Sequence, residues 1–189
     1  MKASTFYILS IIISLISSVE TIRAELPFKL PDNQSILRIR SAIIYTYIGN
    51  IYIRLFPESA PIHVANFKFL ADQGFYKNLP FHIHEPGYVI QTGAPNRKAN
   101  SGPGYTIAPE FNSLKHLTGT LSMVRKPNDL DLEHKRESHG SQFRIILRDS
   151  PHLDGQFTVF GKVMKGIDIA KQLKLGDRIK NIKVFVKKD

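Results

Sequence analysis

The chain has 189 residues, enough for one domain with a proper core, and its 42% hydrophobic content fits a globular protein rather than a disordered one. Cysteine is absent, which excludes a disulfide framework, a thiolate zinc site and a cysteine nucleophile. The formal charge of +10 comes from scattered Lys and Arg, densest in the last third and without an arginine-rich run. That pattern predicts a solvated basic surface able to touch anionic membranes, and no specific nucleic-acid site, which would interleave basic residues with stacking aromatics.

At the N-terminus Lys2 precedes an apolar run from Phe6 to Ile16, and a polar stretch follows that closes on Ile22-Arg23-Ala24. The layout predicts a signal peptide over 1–24 and a mature chain starting near Glu25, exported to a periplasm or secreted; retention as an uncleaved N-terminal anchor is the alternative. A Pro-containing leader over 25–37 then gives way to one globular domain over 38–189.

Ile36 to Phe56 reads as two strands, with Ile43, Tyr45 and Tyr47 on one alternation, Ile51, Ile53 and Leu55 on the next, and Gly49-Asn50 between them. The period then changes. Pro61 suits a first helical turn, Val64, Phe67, Leu70 and Ala71 form one stripe, and Gly74 is placed to end the helix. Beyond Phe75, short apolar stretches (Pro80 to Gln91, Gly119 to Val124, Gln142 to Leu147, Thr158 to Val163) alternate with Gly, Pro and Asn, which predicts a barrel or sandwich. A second helix over 167–173 follows Gly166, and Ile179 to Val186 alternates as a closing strand.

Such an architecture alone names no function. The motifs do more. Gly49-Asn50-Ile51-Tyr52-Ile53-Arg54-Leu55-Phe56, Ala60-Pro61-Ile62-His63-Val64-Ala65-Asn66-Phe67, Phe81-His82, Pro86-Gly87-Tyr88-Val89-Ile90-Gln91-Thr92-Gly93, Gly119-Thr120-Leu121-Ser122-Met123, Gly140-Ser141-Gln142-Phe143, Leu153-Asp154-Gly155 and Val159-Phe160-Gly161-Lys162-Val163 follow one another in order. Together they resemble the cyclophilin family of peptidyl-prolyl cis-trans isomerases over about residues 40 to 187. The resemblance implies a mainly β fold, a closed eight-stranded antiparallel barrel capped by two α-helices. It also implies a monomer without cofactor or metal that binds proline-containing peptides or unfolded polypeptides.

Isomerisation about an X–Pro bond faces a barrier of ~18–20 kcal/mol because amide resonance is lost at the twisted transition state. No nucleophile is needed. A catalyst can hold the proline ring in an apolar pocket and donate a hydrogen bond to the pyramidal nitrogen, a task an always-charged arginine suits. In the family that arginine directly follows the histidine of the Phe-His pair, where this chain has Ile83. The family's aromatic pocket floor falls on Arg144, which alternation places on the face of Gln142.

Arg144, Gln91 and His82 are therefore the candidate catalytic residues. By resemblance, Ile83, Tyr88, Val89, Met123, Val124, Gln142, Phe143, His152, Leu153 and Phe157 line the substrate groove. Met123, Phe143 and Leu153 have a second reading as ordinary core. Arg144 has two readings as well: a relocated donor that compensates for Ile83, or a cation that polarises the pocket in a lineage that has lost turnover. The charged segment Lys126 to Glu137 reads as a solvated loop beside the groove. His82 and His84 attract a metal reading, but no carboxylate cluster accompanies them, and no metal is expected. Three functions follow: an exported isomerase of reduced activity that assists folding, a non-catalytic proline-peptide-binding chaperone, and an interaction module acting through the basic surface.

Overall fold

A computed structural model describes residues 26–98, 100–125 and 137–188. The expected signal peptide and nearly all of the loop expected over 126–137 lie outside the described residues. Helix α1 (Asn33–Leu37) is followed by β1 (Ile39–Thr46), β2 (Asn50–Leu55) and α2 (Pro61–Asp72). Then come β3 (Ile83–Glu85), β4 (Val89–Thr92), the short β5 (Thr106–Ile107), β6 (Thr120–Arg125), β7 (Ser138–Ile146), β8 (Val159–Lys165), α3 (Ile167–Gln172) and β9 (Ile179–Val186).

One antiparallel sheet runs in the order β3-β4-β7-β6-β8-β2-β1-β9, with β5 paired to β7. The eight strands on this path agree with the expected number, but the seal does not. Its two ends, β3 and β9, share no ladder. The segments leading into them meet through Asn78 N–H to Ile179 O (2.8 Å), Ile179 N–H to Leu79 O (2.9 Å) and Phe81 N–H to Asp177 O (2.8 Å), around the single bridge Pro80–Arg178. Proline has no N–H to extend such a ladder, and β3 has only three residues. The sheet is an open, curled half-barrel rather than the closed barrel expected.

Inside the curl sits the core. Helix α2 starts on Pro61 and buries Val64, Phe67, Leu70 and Ala71, the stripe read from the sequence. Phe67 packs edge-on to Phe143 (5.5 Å between centroids) and lies 5.4 Å from Tyr76 and 5.5 Å from Phe160. Ala60 supplies no side-chain cap; instead Glu110, distant in sequence, accepts from the Ile62 and His63 amides at 3.0 and 2.9 Å. A carboxylate there satisfies two orphan donors and faces the positive end of the helix dipole.

The leader departs from the expectation that strand structure begins at Ile36. Asp32 caps a short helix by accepting from the Ser35 amide at 3.0 Å, so Ile36 is helical and buried. Ahead of it, Phe28 stacks on Phe69 of α2 at 4.6 Å. The stretch Pro80 to Gln91 is likewise not one strand, since Pro86-Gly87 turns the chain between β3 and β4.

Candidate active site

The site lies on the outer face of β3, β4, β7 and β6. At the β3–β4 turn Gly87 takes φ +70°, as the third position of a Pro-Gly turn requires, and the Tyr88 amide donates to Glu85 O at 2.9 Å. That turn fixes the register. Ile83 pairs with Gln91, Gln91 with Arg144, and Arg144 with Ser122, so these four occupy one row across four strands. Side chains on such a row share a face, and the partners Ile90, Ile145 and Leu121 of the next row are core. The placement of residues 83, 91, 142 and 144 along one side of the sheet follows from this register.

A polar network occupies one end of the row. Gln142, fully buried, accepts from Gln91 Nε2 at 2.9 Å, and its own amide donates to Ser101 O (2.8 Å) and Lys98 O (3.1 Å). His82 Nε2 lies 3.2 Å from Gln142 Oε1, so a hydrogen bond there needs the ring proton on Nε2. Burial lowers the His82 pKa, with the Gln142 bond opposing it, which favours a neutral ring. The approach is close: a Cβ on Gly102 would stand 2.3 Å from His139 Cε1, so a larger residue there would have to displace the His139 ring.

At the other end the face is apolar, with Arg144 over Phe157 and Arg148 over Tyr88. Val89, Ile146 and Leu153 form a small buried cluster with Tyr88 and Phe157 against it. His152 stacks on Tyr88 at 6.0 Å and its Nε2 is 2.9 Å from the Tyr88 hydroxyl. Arg144 lies over the Phe157 ring, its guanidinium carbon 4.5 Å from the centroid. Burial pushes its pKa down from the usual arginine value while Tyr88 and Glu85 hold it up; the group stays charged. Val124, half-buried, continues the face of Ser122.

Two expected groove residues belong elsewhere. Met123 and Phe143 are cross-strand partners, both fully buried, and both join the core inside the curl. The reason is alternation: each is one residue away from a groove-facing neighbour, Ser122 or Gln142, and so points through the sheet. Their reading as ordinary core is the one the geometry supports.

Two residues of the neighbourhood were not singled out from sequence. Ser122 lies opposite Arg144 with its hydroxyl buried. His116 meets Phe157 edge-on at 6.4 Å and is held by Asp154, which accepts from its amide at 2.8 Å and faces its Nδ1 at 3.1 Å. The amide bond from His116 is the main reason the Asp154 pKa falls to about 2. Cross-strand adjacency of this kind leaves no signal within a single segment.

The structure is thus a curled antiparallel half-barrel whose outer face brings together a histidine, two glutamines and an apolar cluster. Residues 41–187 match the family model for cyclophilin type peptidyl-prolyl cis-trans isomerase/CLD, and the chain belongs to that family. It is 45% identical over 139 residues to peptidyl-prolyl cis-trans isomerase B of Bacillus subtilis strain 168, covering 72% of this chain and 92% of that one. It is 40% identical over 145 residues to a peptidyl-prolyl cis-trans isomerase of Helicobacter pylori strain 26695, covering 75% and 84%. Among solved structures, the cyclophilin type isomerase cgd2_1660 of Cryptosporidium parvum superposes with a TM-score of 0.70 at 28% identity, covering 79% of this chain and 99% of that chain. The same protein in the presence of the dipeptide Ala-Pro gives a TM-score of 0.69, also at 28% identity, covering 78% and 100%.

Proposed function

We propose that the chain is an exported peptidyl-prolyl cis-trans isomerase of reduced turnover that binds proline-containing segments and assists protein folding. One observation carries the reduced turnover. Ile83 stands directly opposite Gln91, at the position the family gives to its arginine, while the nearest groove cation, Arg144, starts two strands away and rests on Phe157. Two strand spacings are roughly 9.5 Å, and a donor must sit within a fraction of an ångström of its productive place to act fully. This favours the lost-donor reading over compensation by Arg144.

The intact Gln91–Gln142–His82 network supports retained peptide binding, since a glutamine amide and a shaped apolar pocket can still hold an X–Pro segment. A non-catalytic chaperone is the second reading, favoured by the same Ile83. NMR exchange on a proline tetrapeptide separates them. The expected result is a rate well below that of the Bacillus subtilis relative in the same assay, a rise on Ile83→Arg, and little change on Arg144→Ala. A wild-type rate equal to the relative's, halted by Arg144→Ala, would instead establish compensation. Binding without any rate enhancement would establish the chaperone. Export is tested by sequencing the N-terminus of the mature protein, expected near Glu25.

A further inference from the structure

We propose that the groove selects peptide segments carrying a carboxylate beside the proline, received by the Arg144 guanidinium and the Ser122 hydroxyl. The inference rests on the peptide-binding reading above and names the substrate class of that site. Arg144 is largely buried, yet among the described residues its only recorded interaction short of long-range charge is the Phe157 ring, and its Nε has no hydrogen-bond partner. Directly across the β6–β7 ladder, Ser122 is fully buried and its Oγ also lacks a partner. Two donors with nothing to donate to thus lie side by side on one face.

No carboxylate of the described residues neutralises this cation. Asp154, across Phe157, is engaged by His116 and by Lys115 at 3.2 Å. Glu85 is felt only as a distant charge. A buried donor without an acceptor is costly, and Arg144 Nε and Ser122 Oγ are both such donors; the cost is recovered by whatever brings an acceptor. A peptide carboxylate fits best, because its two oxygens match the guanidinium fork, and the residue paired with Arg144, Ser122, offers a further hydroxyl donor on the same face. A wholly apolar proline neighbourhood would leave both donors unsatisfied, so the same geometry disfavours the neutral ligand. The chain's net charge of +10 adds attraction for acidic segments on approach.

Such a carboxylate has two sources, an Asp or Glu side chain flanking the proline or the terminal carboxylate of a C-terminal proline. Four N-acetylated peptides distinguish them: acetyl-Ala-Ala-Pro-Ala-amide, its versions with Glu before or after the proline, and acetyl-Ala-Ala-Pro ending in a free carboxylate. Each is titrated into the full ¹⁵N-labelled chain at low salt, following the Gln91 and Gln142 side-chain amide signals. The expected result is binding roughly tenfold tighter for at least one carboxylate peptide than for the neutral one. Arg144→Gln should abolish the preference, Arg144→Lys keep part of it, and Ser122→Ala reduce it.

Equal affinity of all four peptides for wild type overturns the inference and leaves the peptide-binding reading standing, even if the variants fail to fold. A preference undiminished in folded Arg144→Gln also overturns it, assigning the effect to the general basic surface. Should no peptide move the Gln91 and Gln142 signals, the peptide-binding reading falls and this inference with it.

Discussion

The guanidinium carbon of Arg144 lies 4.5 Å from the centroid of Phe157, so the groove's one central cation is spent on a ring rather than on a carboxylate. A cation–π contact of this kind returns about 0.5–2 kcal/mol, set against the penalty of leaving the buried Nε without an acceptor. Replacing that arginine with an apolar residue of similar reach removes the penalty. Arg144→Phe should therefore raise stability by about 1–3 kcal/mol, read as a higher urea midpoint at unchanged slope. A lower midpoint would mean that the guanidinium is better satisfied than its surroundings show.

Phe143 behaves as core. It contacts Phe67, Tyr76 and Phe160 edge-on at 5.5, 5.7 and 6.2 Å. Truncation to Ala should cost about 3–5 kcal/mol, whereas Leu153→Ala, at the edge of the groove cluster, should cost less and weaken peptide binding directly. Urea denaturation and peptide titration of both variants check the contrast. Weakened binding by a still-folded Phe143→Leu, with Leu153→Ala silent, would put the pocket wall on the wrong face.

Acid should destabilise the fold in two stages. His82 and His116 both titrate below the usual imidazole value of 6.5, chiefly because burial disfavours their charged forms. The unfolded chain then binds more protons than the folded one as pH falls past 6.5, so their contribution is complete above that pH and lost below it. Asp154, whose pKa is depressed from 3.8 to about 2, adds a second loss across that lower window. Melting temperature followed from pH 8 downward should fall first below pH 6.5, and His82→Asn should flatten part of that first decline. A profile level to pH 5 would contradict it.

Helix α2 depends on a residue far from it in sequence. Glu110 receives the Ile62 and His63 amides and lies 2.5 Å from His63 Nδ1. Glu110→Ala leaves these donors without an acceptor and should cost about 1–2 kcal/mol, with Glu110→Gln costing less. Chemical denaturation measures both, and amide exchange at the start of α2 should quicken in the Ala variant.

Local periodicity carried much of this fold. The stripe Val64, Phe67, Leu70 and Ala71 and the closing strand from Ile179 to Val186 are both as read, because each is a repeating pattern inside one segment. The short helix over 33–37, capped by Asp32, replaces the leader and strand expected there, because a single turn of helix shows no repeating pattern. Motif resemblance picked out Gln91, Gln142, Tyr88, Val89, Leu153 and Phe157, which the structure gathers into a glutamine pair and one small apolar cluster, yet it carried Met123 and Phe143 along with their neighbours. Adjacency in a motif says nothing about face, whereas alternation does. Ser122 and His116 were out of reach for another reason: their relation to Arg144 and Phe157 exists only through strand register and loop packing, which no single segment encodes.

Strand β3 is laddered on one side only and for three residues, whereas β7 is laddered on both sides over residues 143–145, to β4 and to β6. Among the strand residues of the row, position 83 is thus held from one side and position 144 from both. An arginine restored at 83 would recover the right address with loose aim; the arginine at 144 has a rigid mount and points at the wrong target. On the proposed reading of reduced turnover, Ile83→Arg alone should restore only part of the rate, and a second change that braces β3 should restore more.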